Sequence, residues 1–116
     1  MDYDSSPRPV HVLPPCSLMS AKAEIIVTPM SKADAENKHG ISSWGKWGCG
    51  VSKFDWEYSG TETAYVLTGK VLVTPTGDWA GCKPTEVKAG DLVVFPDGMT
   101  CTWDVTEAIE KHYSFA

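Results

Sequence analysis

Hydrophobic and polar positions alternate along much of this chain, and the alternating stretches are short. Lys53-Phe54-Asp55-Trp56-Glu57-Tyr58 puts three aromatic rings on one face and three charges on the other, the period-two pattern of a half-buried strand. Ser59-Gly60 breaks it. Residues 63–67, 70–74, 84–88, 91–95 and 100–105 read as further strands. Between them lie Gly69, Pro75-Thr76-Gly77-Asp78, Ala89-Gly90 and Pro96-Asp97-Gly98, residue types whose backbone preferences suit turns. Cys101, Trp103 and Val105 share a face. A last strand places Ile109, Lys111, Tyr113 and Phe115 together, with a lysine among apolar neighbours.

Toward the N-terminus, residues 21–28 form a plausible first strand around Ile25-Ile26-Val27, closed by Pro29. Residues 31–40 are polar and predict a loop or one short helical turn. Trp44-Gly45-Lys46-Trp47-Gly48 reads as a glycine-spaced aromatic loop, suited to a lid or a dimer contact. Roughly seven to nine short strands in this rhythm predict an all-β domain with little helix, a sandwich or barrel of antiparallel sheet.

Composition narrows the picture. At 116 residues, 42% hydrophobic and 22% charged, the chain suits one folded domain. Prolines 7, 9, 14 and 15 make residues 1–20 a proline-rich arm, leaving residues 21–116 as the domain. A net charge of −5 with a single arginine, Arg8, lacks the basic patch a nucleic-acid surface needs. No run of about 18 apolar residues predicts membrane insertion. Cys16, Cys49, Cys82 and Cys101 form no CxxC pair and no zinc-type spacing. With no secretory signal pattern at the N-terminus, four free thiols in a reducing compartment are expected: the cytoplasm, or an organelle such as the plastid if a transit peptide has been removed.

Two segments resemble the cupin superfamily. Its first motif, His-x-His, three or four residues, Glu, six residues, Gly, is matched in frame by Trp56-Glu57-Tyr58, Glu62 and Gly69. Its second, Gly, five residues, Pro-x-Gly, two residues, His, is matched by Gly90, Pro96-Asp97-Gly98 and Cys101. More narrowly, residues 56–69, 90–98, 102–105 and Lys111-His112-Tyr113 look like the single-domain group that shares the cupin domain of (S)-ureidoglycine aminohydrolase. The resemblance implies a small double-stranded β-helix, a jelly-roll barrel of two antiparallel sheets. It also implies metal-dependent chemistry on C–N bonds, a homodimer or another protein partner, and a pocket at the barrel mouth.

The motif histidines, however, are replaced by Trp56, Tyr58 and Cys101, and His11, His39 and His112 occupy no motif position. One carboxylate, one thiol and one phenol make a poor divalent site, so no metal and no cofactor are expected. Glu62 reads either as a structural carboxylate or as a buried acid or base. Cys101 reads as a small wall residue or as a nucleophile, with Lys111 the one inward cation near it. Catalytic candidates are therefore Glu62, Cys101 and Lys111, and the residues expected to line a ligand pocket are Trp56, Tyr58, Glu62, Cys101 and Trp103. Alternation further places Lys111 inside the barrel, where an unpaired ammonium costs several kcal/mol. Glu62 is its expected partner. Three function classes stay open: a metal-independent binder or enzyme for a small polar or aromatic molecule, a metal-dependent C–N hydrolase, and a non-catalytic interaction module.

Overall fold

The computed structural model describes residues 24–116, so the proline-rich arm and the first two of the four cysteine and histidine candidates in it, Cys16 and His11, lie outside the described residues. Within that range seven strands form one antiparallel sheet: β1 (Ile26–Pro29), β2 (Gly45–Cys49), β3 (Ser52–Glu57), β4 (Glu62–Pro75), β5 (Thr85–Lys88), β6 (Asp91–Phe95) and β7 (Thr100–Phe115). The expected strands at 63–67 and 70–74 are one strand, β4. The two expected after residue 100 are likewise one, β7.

These long strands are kinked, and the kinks lie side by side. The pairing of β4 with β7 shifts register three times between Val66 and Val71, the mark of β-bulges. Ala64 and Val66 before the kink, and Val71 and Val73 after it, all enter the same core, so the bulges exchange even for odd positions and keep one apolar face inward. On either flank, β2 and β3 run end to end along β7, and β5 and β6 run end to end along β4. The two layers of the barrel are thus halves of the same kinked strands.

Gly69 allows the fold-over. It lies inside β4 with φ +91°, and a Cβ there would stand 2.1 Å from the Ala108 carbonyl oxygen. The turn expected at Gly69 is therefore a bulge, whereas Gly90, also at φ +91°, does occupy the turn between β5 and β6.

The core includes Val87, Val93, Phe95, Met99, Val105 and Ile109. A smaller cluster sits on the other face of β4 and β6, where Tyr65 and Leu92 meet Ala35 and Ile41. Ala35 belongs to α1 (Lys32–His39), a helix of eight residues where sequence predicts at most one turn. Caps and that one buried contact explain it. The Ser31 hydroxyl accepts from the Asp34 N–H, and Gly40 in the left-handed region donates its N–H to the Glu36 carbonyl.

Two further expectations are corrected. Residues 45–49 are not a free loop but strand β2, paired from Gly45 opposite Tyr113 to Cys49 opposite Ile109. Nor are all the thiols free: Cys82 is disulfide-bonded, while Cys49 and Cys101 are free cysteines. Among the described residues no helix is long and apolar enough to cross a membrane.

Candidate functional site

Glu62 opens β4 with Ala64 and Val66 following it on the inward face, and all three are buried. On the neighbouring strand Lys111 sits opposite Val66, and Tyr113 opposite Ala64. The Lys111 stem therefore has to run along the strand, past the small Ala64, to reach Glu62. It does so: the Lys111 Nζ donates to Glu62 Oε2 in a direct ion pair. The residues are only 6% and 2% exposed, so this pair is shielded from water and from salt.

Aromatic rings surround the ammonium. Its Nζ lies 4.7 Å from the Trp103 ring centroid, 5.2 Å from Trp47, 5.8 Å from Phe95 and 5.9 Å from Tyr113, all within reach of cation–π attraction. Burial pushes the Lys111 ammonium below the ordinary lysine range, and the Glu62 carboxylate opposes that fall.

Tyr58 and Cys101 complete the inner wall. Tyr58 stacks on Phe95 with centroids 5.0 Å apart and planes 10° from parallel, and its Oη accepts from Trp103 Nε1 at 3.2 Å. Burial, reinforced by the Glu62 and Cys101 charges, raises the Tyr58 phenol far above its usual range. Burial also pushes the Cys101 thiol up to about 11, with Asp55 and Glu62 adding to the rise against Trp103 and Lys111. Both groups stay protonated at neutral pH, which leaves Cys101 a poor nucleophile.

The rim is different in character. Trp56, expected to share the inner face, is 49% exposed, because β3 is bordered on one side only, by β7. It forms an edge-on contact with Tyr58 at 6.5 Å. Trp47, Phe54, Trp56, Trp103 and Lys111 enclose a hollow of about 30 Å³, room for one or two waters or a small polar group. Beside it, Asp55, Trp56, Glu57, Thr76, Thr100 and Cys101 border an open groove of about 530 Å³. Trp56 divides the two.

The five expected pocket residues therefore separate. Trp56 and Trp103 line the hollow, Glu62 stands behind Lys111, Tyr58 is packed into the core, and Cys101 borders the outer groove. Sequence reasoning missed Trp47 and Phe54 as lining residues. The signal was present in Phe54, which alternates with Trp56, but Trp47 had been read as part of a loop.

The sequence matches the EutQ-like cupin domain over residues 36–113, about two thirds of the chain. This chain belongs to the EutQ-like cupin family. A DUF861 family protein from Thermotoga maritima shares 36% identity with this cupin, and its crystal structure superposes with a TM-score of 0.70 over 80% of this chain and 100% of that one. A putative ethanolamine utilization protein Q from Salmonella typhimurium (20% identity, TM-score 0.51) and the EutQ protein of Clostridium difficile (17%, 0.52) share the fold. The cupin covers 77% of itself in both, and 66% and 64% of those chains. No curated protein of established function gives a significant match.

The cupin fold implies a metal at the barrel mouth, and the donors at the motif positions do not fit one. Trp56 offers no lone pair to a metal, Tyr58 and Cys101 hold their protons, and the Glu62 carboxylate is already bound to an ammonium. His112, on β7, lies opposite Tyr65 of β4, whose ring packs in the outer cluster. Among the described residues no three His, Cys, Asp or Glu side chains converge.

Proposed function

We propose that this cupin binds a small, flat, neutral molecule at the aromatic hollow, without a metal ion. One observation carries the reading. The only charged side chain in the lining, Lys111, is held among aromatic rings and already neutralised by Glu62. A carbonyl oxygen entering the hollow accepts a hydrogen bond from the ammonium, while the flat body of the molecule lies against Trp56 and Trp47. An anion gains little there, because it competes with Glu62 for Lys111. A cation meets like charge. The hollow admits only the polar end of a ligand, and the body extends over the exposed rim.

The hydrolytic alternative, metal-assisted cleavage of a C–N bond as in (S)-ureidoglycine aminohydrolase, finds less support, since the donor set at the motif positions is unsuited to the ion that reaction needs.

Titration of tryptophan fluorescence with benzamide, benzoate and benzylammonium tests the proposal. Benzamide is expected to quench the signal saturably, with at least ~10-fold weaker binding of the two ions, a difference of about 1.4 kcal/mol. Equal binding of all three, or no saturable quenching by any, overturns it.

A further inference from the structure

The rim of the hollow is also the edge of the sheet. β2 and β3 run along the whole of β7, from Gly45 opposite Tyr113 to Glu57 opposite Thr100, and among the described residues nothing pairs with their other side. Trp47, Val51 and Trp56 are exposed along this edge, Val51 at 72%. Long, exposed edges with apolar side chains are templates for another strand.

The charges on this edge select the strand. A two-fold axis perpendicular to the sheet keeps inner faces inner, so each residue meets one of equal parity in an antiparallel copy. Centred on Phe54, the pairing sets Lys53 opposite the partner's Asp55, twice over by symmetry. Centred instead on Lys53 or Asp55, it sets like charges face to face, and centred on Trp56 it opposes Asp55 to Glu57. On the inner face Phe54 already stacks on Trp103, 6.2 Å apart and 22° from parallel. The Phe54-centred register extends that row through the partner's Phe54 to its Trp103.

We infer that a second copy of this chain pairs antiparallel with β3, in the register that places Phe54 opposite itself. Each copy then brings an aromatic side chain to the open flank of the other's hollow, which one chain leaves half built. The paired edge is short, so the dimer is a weak one, in the class of small transient interfaces. The inference stands independently of the ligand proposed above, because neither the edge nor its charges depend on what enters the hollow.

The test uses the full chain in sedimentation equilibrium from micromolar to submillimolar concentration. Wild type is expected to dimerise. Lys53→Asp and Asp55→Lys, each replacing two attractive cross-strand pairs with two repulsive ones, are expected to weaken self-association about tenfold or more. Mixed together they regain complementarity and form a heterodimer. Because Asp104 lies opposite Lys53 on β7, a second assay avoids the charge changes. Phe54→Cys in a Cys49→Ser background is expected to cross-link to itself under mild oxidation, since paired strands hold opposed residues within disulfide range. Overturning results are a wild-type monomer at every concentration, undiminished dimers in both charge variants, or no Phe54→Cys cross-link.

Discussion

Glu62 and Lys111 lie on different strands and pair inside the barrel, and each is tolerated there because of the other. Glu62→Gln leaves the ammonium buried without its counter-ion, and is expected to destabilise the fold by about 3–5 kcal/mol in denaturant titration. Replacing both, as Glu62→Leu with Lys111→Met, removes charge and desolvation together and should recover most of that loss. Strict alternation made this pair legible from sequence: parity alone turned Asp55 and Asp104 away and left Glu62. The exposure of Trp56 was not legible, since parity gives a side chain's face but not whether a neighbouring strand covers it. For Cys101, pushed up to about 11 from an ordinary value near 9.0, the folded state keeps a proton that the unfolded state has lost. Its contribution to stability is thus full below pH 9.0 and is lost as pH rises toward about 11. In an alkylation time course at pH 8 read by mass spectrometry, the partly exposed Cys49 should react first and Cys101 only on unfolding or at strongly alkaline pH. Equal rates would show that the barrel wall does not shield it.

At the scale of elements, the kink in β4 decides the shape. Gly69→Ala combines a positive φ with a Cβ that collides with the Ala108 backbone, whereas Gly90→Ala has the same φ and open space around it. The first is expected to cost several kcal/mol, more than the second by at least ~1–2 kcal/mol, and the second about 1–2 kcal/mol. Thermal unfolding of the two variants side by side checks the order, and similar losses would mean that the close approach to β7 is not what demands glycine. The same residue shows why strand number was misjudged. A glycine in an alternating run signals a turn or a bulge with equal force, and only the register against β7 separates them. The helix α1 was missed for a related reason. Its composition is polar, and a single buried alanine with two capping interactions stabilises it.

For the whole molecule, the EutQ-like cupin fold was readable from turn residues and motif frame, because both survive where the metal ligands do not. The site was readable in part. Its charged centre follows from parity, while its aromatic wall depends on β2 lying beside β7, a long-range pairing that no local pattern encodes. The account reduces to a claim about one nitrogen atom: Lys111 Nζ, paired with Glu62, is the polar contact for a neutral ligand in a metal-free barrel. NMR spectra of protein carrying isotope-labelled lysine, recorded after exhaustive chelation and during titration with benzamide, observe that nitrogen and its neighbouring carbon directly. The account predicts that the Lys111 resonance shifts saturably while the other lysines stay in place as internal controls, and that Glu62→Gln alters the response. A titration that leaves Lys111 unmoved, or one that moves it only after a divalent metal is restored, would contradict it.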